Sequence, residues 1–127
     1  MPVTVLVVDD SKLARIVACK AIAAHQPDWL RVEASNAKEA LDIVATQAID
    51  LAVLDFNMPE KDGLELAAEL RAAHPHMPLA VITANIQDEI IAAVRALNAT
   101  FVGKPVTEEA ISCFLAGAAL RLRKNGV

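Results

Sequence analysis

Short apolar runs recur along the chain, each closed by polar residues and followed by a longer stretch with apolar positions three and four apart. Val3 to Val8 is apolar but for Thr4, the pattern of a strand buried on both faces of a parallel sheet. It stops at Asp9 and Asp10, and Ser11 is placed to cap a helix reaching about His25, where Gln26, Pro27 and Asp28 end it. On a helical wheel Ala14, Val17, Ala18, Ala21 and Ile22 share the inward face; Lys12, Arg15 and Cys19 fall opposite, and Ile16 lies between as an exposed apolar contact. Leu30 to Ser35 reads as a second strand, and Asn36 caps a helix to about Gln47 with Ala40, Leu41 and Val44 inward. Asp50 to Asp55 is a third strand. Gly63 precedes a third helix carrying Leu64, Leu66, Ala67 and Leu70, which His74 and Pro75 end. Leu79 to Thr83 and Ile86 to Asn98 form the fourth strand and helix, Thr100 to Val102 and about Thr107 to Arg123 the fifth.

Strands alternating with helices of this length call for an α/β fold, a doubly wound five-stranded parallel sheet with helices on both faces. No repeat, linker or low-complexity segment interrupts the pattern, so residues 1–127 are expected to form one domain.

Composition narrows the function. The chain is 55% hydrophobic but only 3% aromatic, which leaves few rings for stacking bases or a flavin. A net charge of −4 provides no basic footprint for nucleic acid. Cys19 and Cys113 have no ligand-like spacing and read as free thiols in a reducing compartment. The first apolar run lacks preceding basic residues and meets two acids at once, unlike a signal peptide. Ala110 to Leu120 is too short to span a bilayer. A cytoplasmic protein is expected. His25, His74 and His76 lie near helix ends and read as solvated or capping groups.

The chemistry is expected where the strands end. In open α/β sheets ligands bind outside the carboxyl ends of the strands. That edge collects Asp9 and Asp10 after the first strand, Asp55 at the end of the third, Thr83 at the end of the fourth and Lys104 after the fifth. Two carboxylates about 4 Å apart repel by about 4 kcal/mol at an effective dielectric near 20. Either one stays protonated or a cation sits among them. With neither His nor Cys in the group, Mg²⁺ suits the site and zinc does not. A metal, an ammonium and a hydroxyl around a carboxylate describe phosphoryl transfer to that carboxylate.

These pieces resemble the receiver domain of two-component response regulators, the CheY-like (flavodoxin-like) fold. The resemblance rests on Val7-Val8-Asp9-Asp10, on Leu54-Asp55-Phe56-Asn57-Met58-Pro59 with Gly63, on Thr83-Ala84, and on Phe101 through Lys104-Pro105. It implies strand order 2-1-3-4-5. It also implies that Asp55 takes a phosphoryl group from the phosphohistidine of a sensor histidine kinase or a histidine phosphotransfer protein. Asp10, Asp55 and the Asn57 carbonyl would hold Mg²⁺ with Asp9 beside them. Lys104, Thr83 and the Ala84 N–H would bind the phosphoryl oxygens, and Phe101 would turn inward as Thr83 moves. The implied protein is not a turnover enzyme but a signalling protein that catalyses its own phosphorylation and dephosphorylation, and it acts by docking. Its surface from Ile86 to Leu97, with strand five and the last helix, is where relatives commonly carry output.

Departures are small. Phe101 lacks the hydroxyl of the Tyr found in many relatives, and Val106 stands where Phe is common. Asn57 and Asn85 occupy positions that influence acyl-phosphate hydrolysis in the family. Within this reading the chain is a diffusible effector, a phosphorelay intermediate or a phosphate sink. A phosphatase of the haloacid-dehalogenase kind needs an acid two positions after its nucleophile, where this chain has Asn57. A nonphosphorylated scaffold is opposed by the complete acidic set with Lys104, and a flavin carrier by the scarcity of aromatics.

Overall fold

The structure, a computed structural model, describes residues 3–84, 87–104 and 106–124, with 123 and 124 by backbone alone. Five strands alternate with five helices: β1 (Thr4–Val8), α1 (Lys12–His25), β2 (Leu30–Ala34), α2 (Ala37–Thr46), β3 (Leu51–Asp55), α3 (Gly63–Ala73), β4 (Leu79–Thr83), α4 (Asp88–Ala96), β5 (Thr100–Gly103) and α5 (Glu108–Lys124). The strands are all parallel and lie in the order β2-β1-β3-β4-β5, as expected.

Side-chain alternation divides the core between the two sheet faces. Leu6, Val8, Ala52, Leu54, Leu79 and Val81 pack with α2, α3 and α4. Val5, Val7, Leu51, Val53, Ala80 and Ile82 pack with α1 and α5. The central strands β3 and β4 are buried at every residue, which is why they read as unbroken apolar runs. Edge strand β2 leaves Leu30 and Arg31 exposed.

Caps fix the helix starts at the sheet's carboxyl edge. Ser11 Oγ accepts from Ala14 N, and Asn36 Oδ1 accepts from Glu39 N. Gly63 is the first residue of α3 rather than its forerunner. The cap is Asp62, in a reciprocal box with Glu65. Helix α4 starts at Asp88, two residues later than the apolar spacing suggests; Ile86, like Asn85 and Pro105, lies outside the described residues.

Helix α1 departs most from its wheel. Val17, expected to face inward, is 54% exposed, and Leu13 is exposed beside it. Arg15 and Cys19, expected outside, are half-buried, Cys19 packing on the α1–α5 core. The helix rolls so that Ala18, Ala21 and Ile22 meet the sheet and Leu13, Ile16 and Val17 form an exposed apolar stripe. No helix among the described residues is long and apolar enough to cross a membrane.

The β3–α3 loop is drawn tight under the site, with Gly63 N donating to Phe56 O at 2.9 Å. A Cβ on Gly63 would stand 2.3 Å from the Asp55 carbonyl oxygen and 2.9 Å from the Phe56 Cα, so α3 reaches the end of β3 only through a glycine. Gly63→Ala is therefore expected to cost at least about 3 kcal/mol, read as a fall in melting temperature of roughly 10 °C. In the same loop Glu60 holds a left-handed φ of 70°. Glu60→Gly removes that strain against a smaller loss of chain entropy and is expected to stabilise by about 1 kcal/mol in the same melt.

Candidate functional site

Period-two geometry aims Asp9 and Asp55 at each other. In the β1–β3 register Val7 faces Val53 and Val8 faces Leu54; one step further brings Asp9 beside Asp55, on the face of Val7 and Val53. That step takes both carboxylates out of the apolar layer at its open edge. Asp55 is 3% exposed and Asp9 8%, whereas Asp10 is exposed. One carboxylate oxygen from each of Asp9, Asp10 and Asp55 lies within 4.8 Å of the others.

Strand β5 brings the cation. Thr83 pairs with Gly103, and Lys104 N donates to Thr83 O at 3.0 Å. Lys104 Nζ stands 2.9 Å from Asp55 Oδ1, a buried oxygen with no other partner among the described residues. Its hydrogen bond to Asp55 is the main cause holding the ammonium above its ordinary 10.5; burial works against this, and the charges of Asp55, Asp9 and Asp10 add to it. On the alkaline side this ion pair is retained up to pH 10.5 and is lost as pH climbs through the raised value.

Burial is the main cause raising the Asp9 carboxyl above its ordinary 3.8, with the charges of Asp55 and Asp10 adding to it. The Ser11 N–H, donating to Oδ1 at 2.9 Å, and Lys104 oppose the rise. One ammonium cannot balance three carboxylates. The excess, the all-oxygen donor set and the exposed side at Asp10 fit a hard divalent cation that keeps water and takes a further oxygen ligand.

The remaining expected residues lie around this centre. Thr83 is fully buried at the end of β4, and Ala84 is exposed just beyond it. Phe101 pairs with Val81 and is half-buried on the α2–α4 face, away from the carboxylates but on the same face as Thr83 by alternation. Asn57 is exposed two residues after Asp55, followed by buried Met58. A cavity of about 580 Å³ opens beside Asp9 and Lys104 and runs between α1 and the start of α5, past Leu13, Val17 and Val106.

Arg15 was not among the expected site residues. Its Nη1 donates to the Asp9 carbonyl at 2.7 Å, and its Nε to Glu33 Oε1 on β2 at 3.0 Å. A signal for it does exist in the sequence: the start of α1 has no acid and carries Lys12 and Arg15, against the helix dipole.

The electrostatics predict how the metal-free chain responds to a lost charge. Because the Asp9 carboxyl is raised, the folded chain holds a proton that the unfolded chain releases, and stability falls as pH rises from 3.8 through the raised value. Asp9→Asn keeps the oxygen that accepts from Ser11 and removes the repulsion. In chelator at pH 7 its melting temperature is expected to exceed the parent's by roughly 3 to 4 °C, the shift that about 1 kcal/mol produces. The gain should shrink as pH is lowered toward 3.8.

Comparison with known proteins agrees with this fold. The family model for the response regulator receiver domain matches residues 5–115. Response regulator MprA of Mycolicibacterium vanbaalenii is 37% identical over 100 residues, 78% of this chain and 41% of that protein. The probable transcriptional regulatory protein TcrX of Mycobacterium tuberculosis is 33% identical over 99% of this chain and 52% of its own length. The chain thus spans about half or less of these relatives. A CheY-like receiver domain protein from Methanospirillum hungatei superposes with a TM-score of 0.87, covering 98% of this chain and 99% of that one at 18% identity. With its strand order and its carboxylate–lysine edge, the chain belongs to the CheY-like response regulator receiver domain family.

Proposed function

We propose that Asp55 is a phosphoacceptor and that the chain is a signalling switch driven by its phosphorylation. The observation that carries this reading is the buried Asp55 carboxylate, held 2.9 Å from Lys104 with the Asp9 and Asp10 carboxylates within 4.8 Å. The donor is a phosphohistidine of a sensor histidine kinase or a histidine phosphotransfer protein. An Asp55 oxygen forms the new P–O bond as the P–N bond to imidazole breaks, and the ring takes the electron pair and leaves as neutral imidazole, its other nitrogen already carrying the proton. Asp10 and Asp55, with the Asn57 carbonyl and Asp9 beside them, would hold Mg²⁺. When bound, the ion offsets the charge of the acids and of the transferring group. Lys104 then exchanges one carboxylate oxygen for a phosphoryl oxygen, a short move for a point charge on a flexible stem.

Thr83 and the Ala84 N–H, at the end of β4, would bind the oxygens of the transferred group, and Phe101, on the sheet face of Thr83, would respond to their movement. Such a switch shifts a population between two states by no more than the differential contacts the phosphoryl group makes in each. The partner docks beside the acceptor. The exposed Leu13, Ile16 and Val17 of α1, and the cavity between α1 and α5, suit a helical partner that presents its histidine to Asp55. Asn57, where a dehalogenase-type phosphatase needs an acid, favours a switch over a turnover enzyme.

Incubation with Mg²⁺ and acetyl phosphate should add one phosphoryl group, seen by intact mass and lost in base. Asp55→Asn should take up none, and a variant that labels as fast as the parent overturns the assignment. No hydrolysis of a generic phosphomonoester is expected, and turnover dependent on Asp55 would favour the phosphatase instead.

A further inference from the structure

We propose that Arg15, held by Glu33, is a positioning residue for the acidic pair after β1 and fixes Asp10 in the orientation that a divalent cation needs. The proposal rests on the reading of Asp9, Asp10 and Asp55 as a metal and phosphoacceptor site. Neither Arg15 nor Glu33 reaches the reacting atoms in that reading. Their action is on the backbone.

Only residues 9, 10 and 11 separate β1 from α1. The last β1–β2 pair is Val8 with Ala34, and one further ladder bond runs from Asp9 N to Ala34 O at 3.1 Å. The Asp9 carboxylate is tied by the Ser11 N–H at 2.9 Å, and the Asp9 carbonyl by Arg15 Nη1 at 2.7 Å. A peptide group is planar, so the Asp9 carbonyl shares one rigid plane with the nitrogen and Cα of Asp10. Orienting that carbonyl fixes the plane from which the Asp10 Cα departs and leaves only rotation about its N–Cα bond to direct the side chain. Asp10 is the exposed member of the carboxylate group and has the most freedom to lose.

Glu33 determines where the guanidinium goes. An arginine on the Asp9 carbonyl, with a long flexible stem, could instead turn to the carboxylates and compete with a metal ion. The contact from Nε to Glu33 at 3.0 Å balances its charge on the far side and leaves Nη1 for the carbonyl. The Arg15 side chain is only 15% exposed in this clasp. A planar fork makes both contacts at once, which a lysine ammonium on its flexible stem does poorly.

Charge alone and positioning predict opposite signs. Deleting a cation near the acids should tighten Mg²⁺ binding if only charge matters; deleting a positioning group should weaken it. Mg²⁺ affinity is to be measured by calorimetry at pH 7 on the full chain and on R15M, R15K, E33Q and the R15M/E33Q double variant, with melting curves in chelator alongside. R15M is expected to weaken Mg²⁺ binding by about tenfold, and R15K and E33Q by about threefold each. The double variant should match R15M, because Glu33 acts through Arg15.

R15M that binds Mg²⁺ as tightly as the parent, or more tightly, overturns the proposal. If R15M does not fold, R15K and E33Q carry the test, and parent-like affinity in both overturns it. A parent chain that takes up no Mg²⁺ overturns the site reading and this proposal with it, whereas an Mg²⁺-binding parent with an equally tight R15M overturns this proposal alone.

Discussion

The structure turns on one unfavourable arrangement: carboxylates from two neighbouring strands are forced together at the mouth of an apolar sheet, with one ammonium to balance them. Burial at Asp9 and Asp55 denies them full hydration, and the edge of a low-dielectric layer strengthens their repulsion. A site of this kind costs stability when empty and gains from whatever cation or anion–cation pair enters. That difference between empty and filled is the free energy a switch has available.

The rest of the fold holds the arrangement in place. Parallel register makes Asp9 and Asp55 neighbours without any contact between their own side chains being favourable. Gly63 lets α3 close against the end of β3 at a distance no other residue tolerates. The backbone bond from Lys104 to Thr83 fixes the start of the lysine stem just past β5, so the ammonium reaches Asp55 across β4. Thr83 and Phe101 share the opposite face, where α4 packs. In the proposed switch, charge relief at the carboxylates and movement at Thr83 would therefore be felt on different sides of the sheet.

Much of this was legible in the sequence because buried parallel strands write themselves as unbroken apolar runs, and β3 and β4 were found to within a residue. Asp9, Asp55, Thr83 and Lys104 could be placed at one edge because each stands where a run stops. What escaped was decided by helix rotation and by side chains acting on the backbone. Val17 belongs to the apolar stripe of α1 by spacing, yet small Ala18 and Ala21 let that helix roll and leave Val17 exposed. Arg15 looked like a solvent-facing charge because a wheel records direction and not reach; its long stem folds back to the Asp9 carbonyl. Gly63 read as punctuation before a helix, whereas the structure makes it the contact point between α3 and β3.

The central claim is that the carboxylates carry an unmet need for positive charge. Its most direct measurement is the melting temperature of the chain as a function of Mg²⁺ concentration at neutral pH, with monovalent salt holding ionic strength constant. Binding to the folded state alone stabilises as RT ln(1 + [L]/Kd), so the melting temperature is predicted to climb with the logarithm of Mg²⁺ once the ion exceeds its dissociation constant. It should climb far less in Asp55→Asn. A melting temperature that does not respond to Mg²⁺, or that rises equally in that variant, would contradict the account.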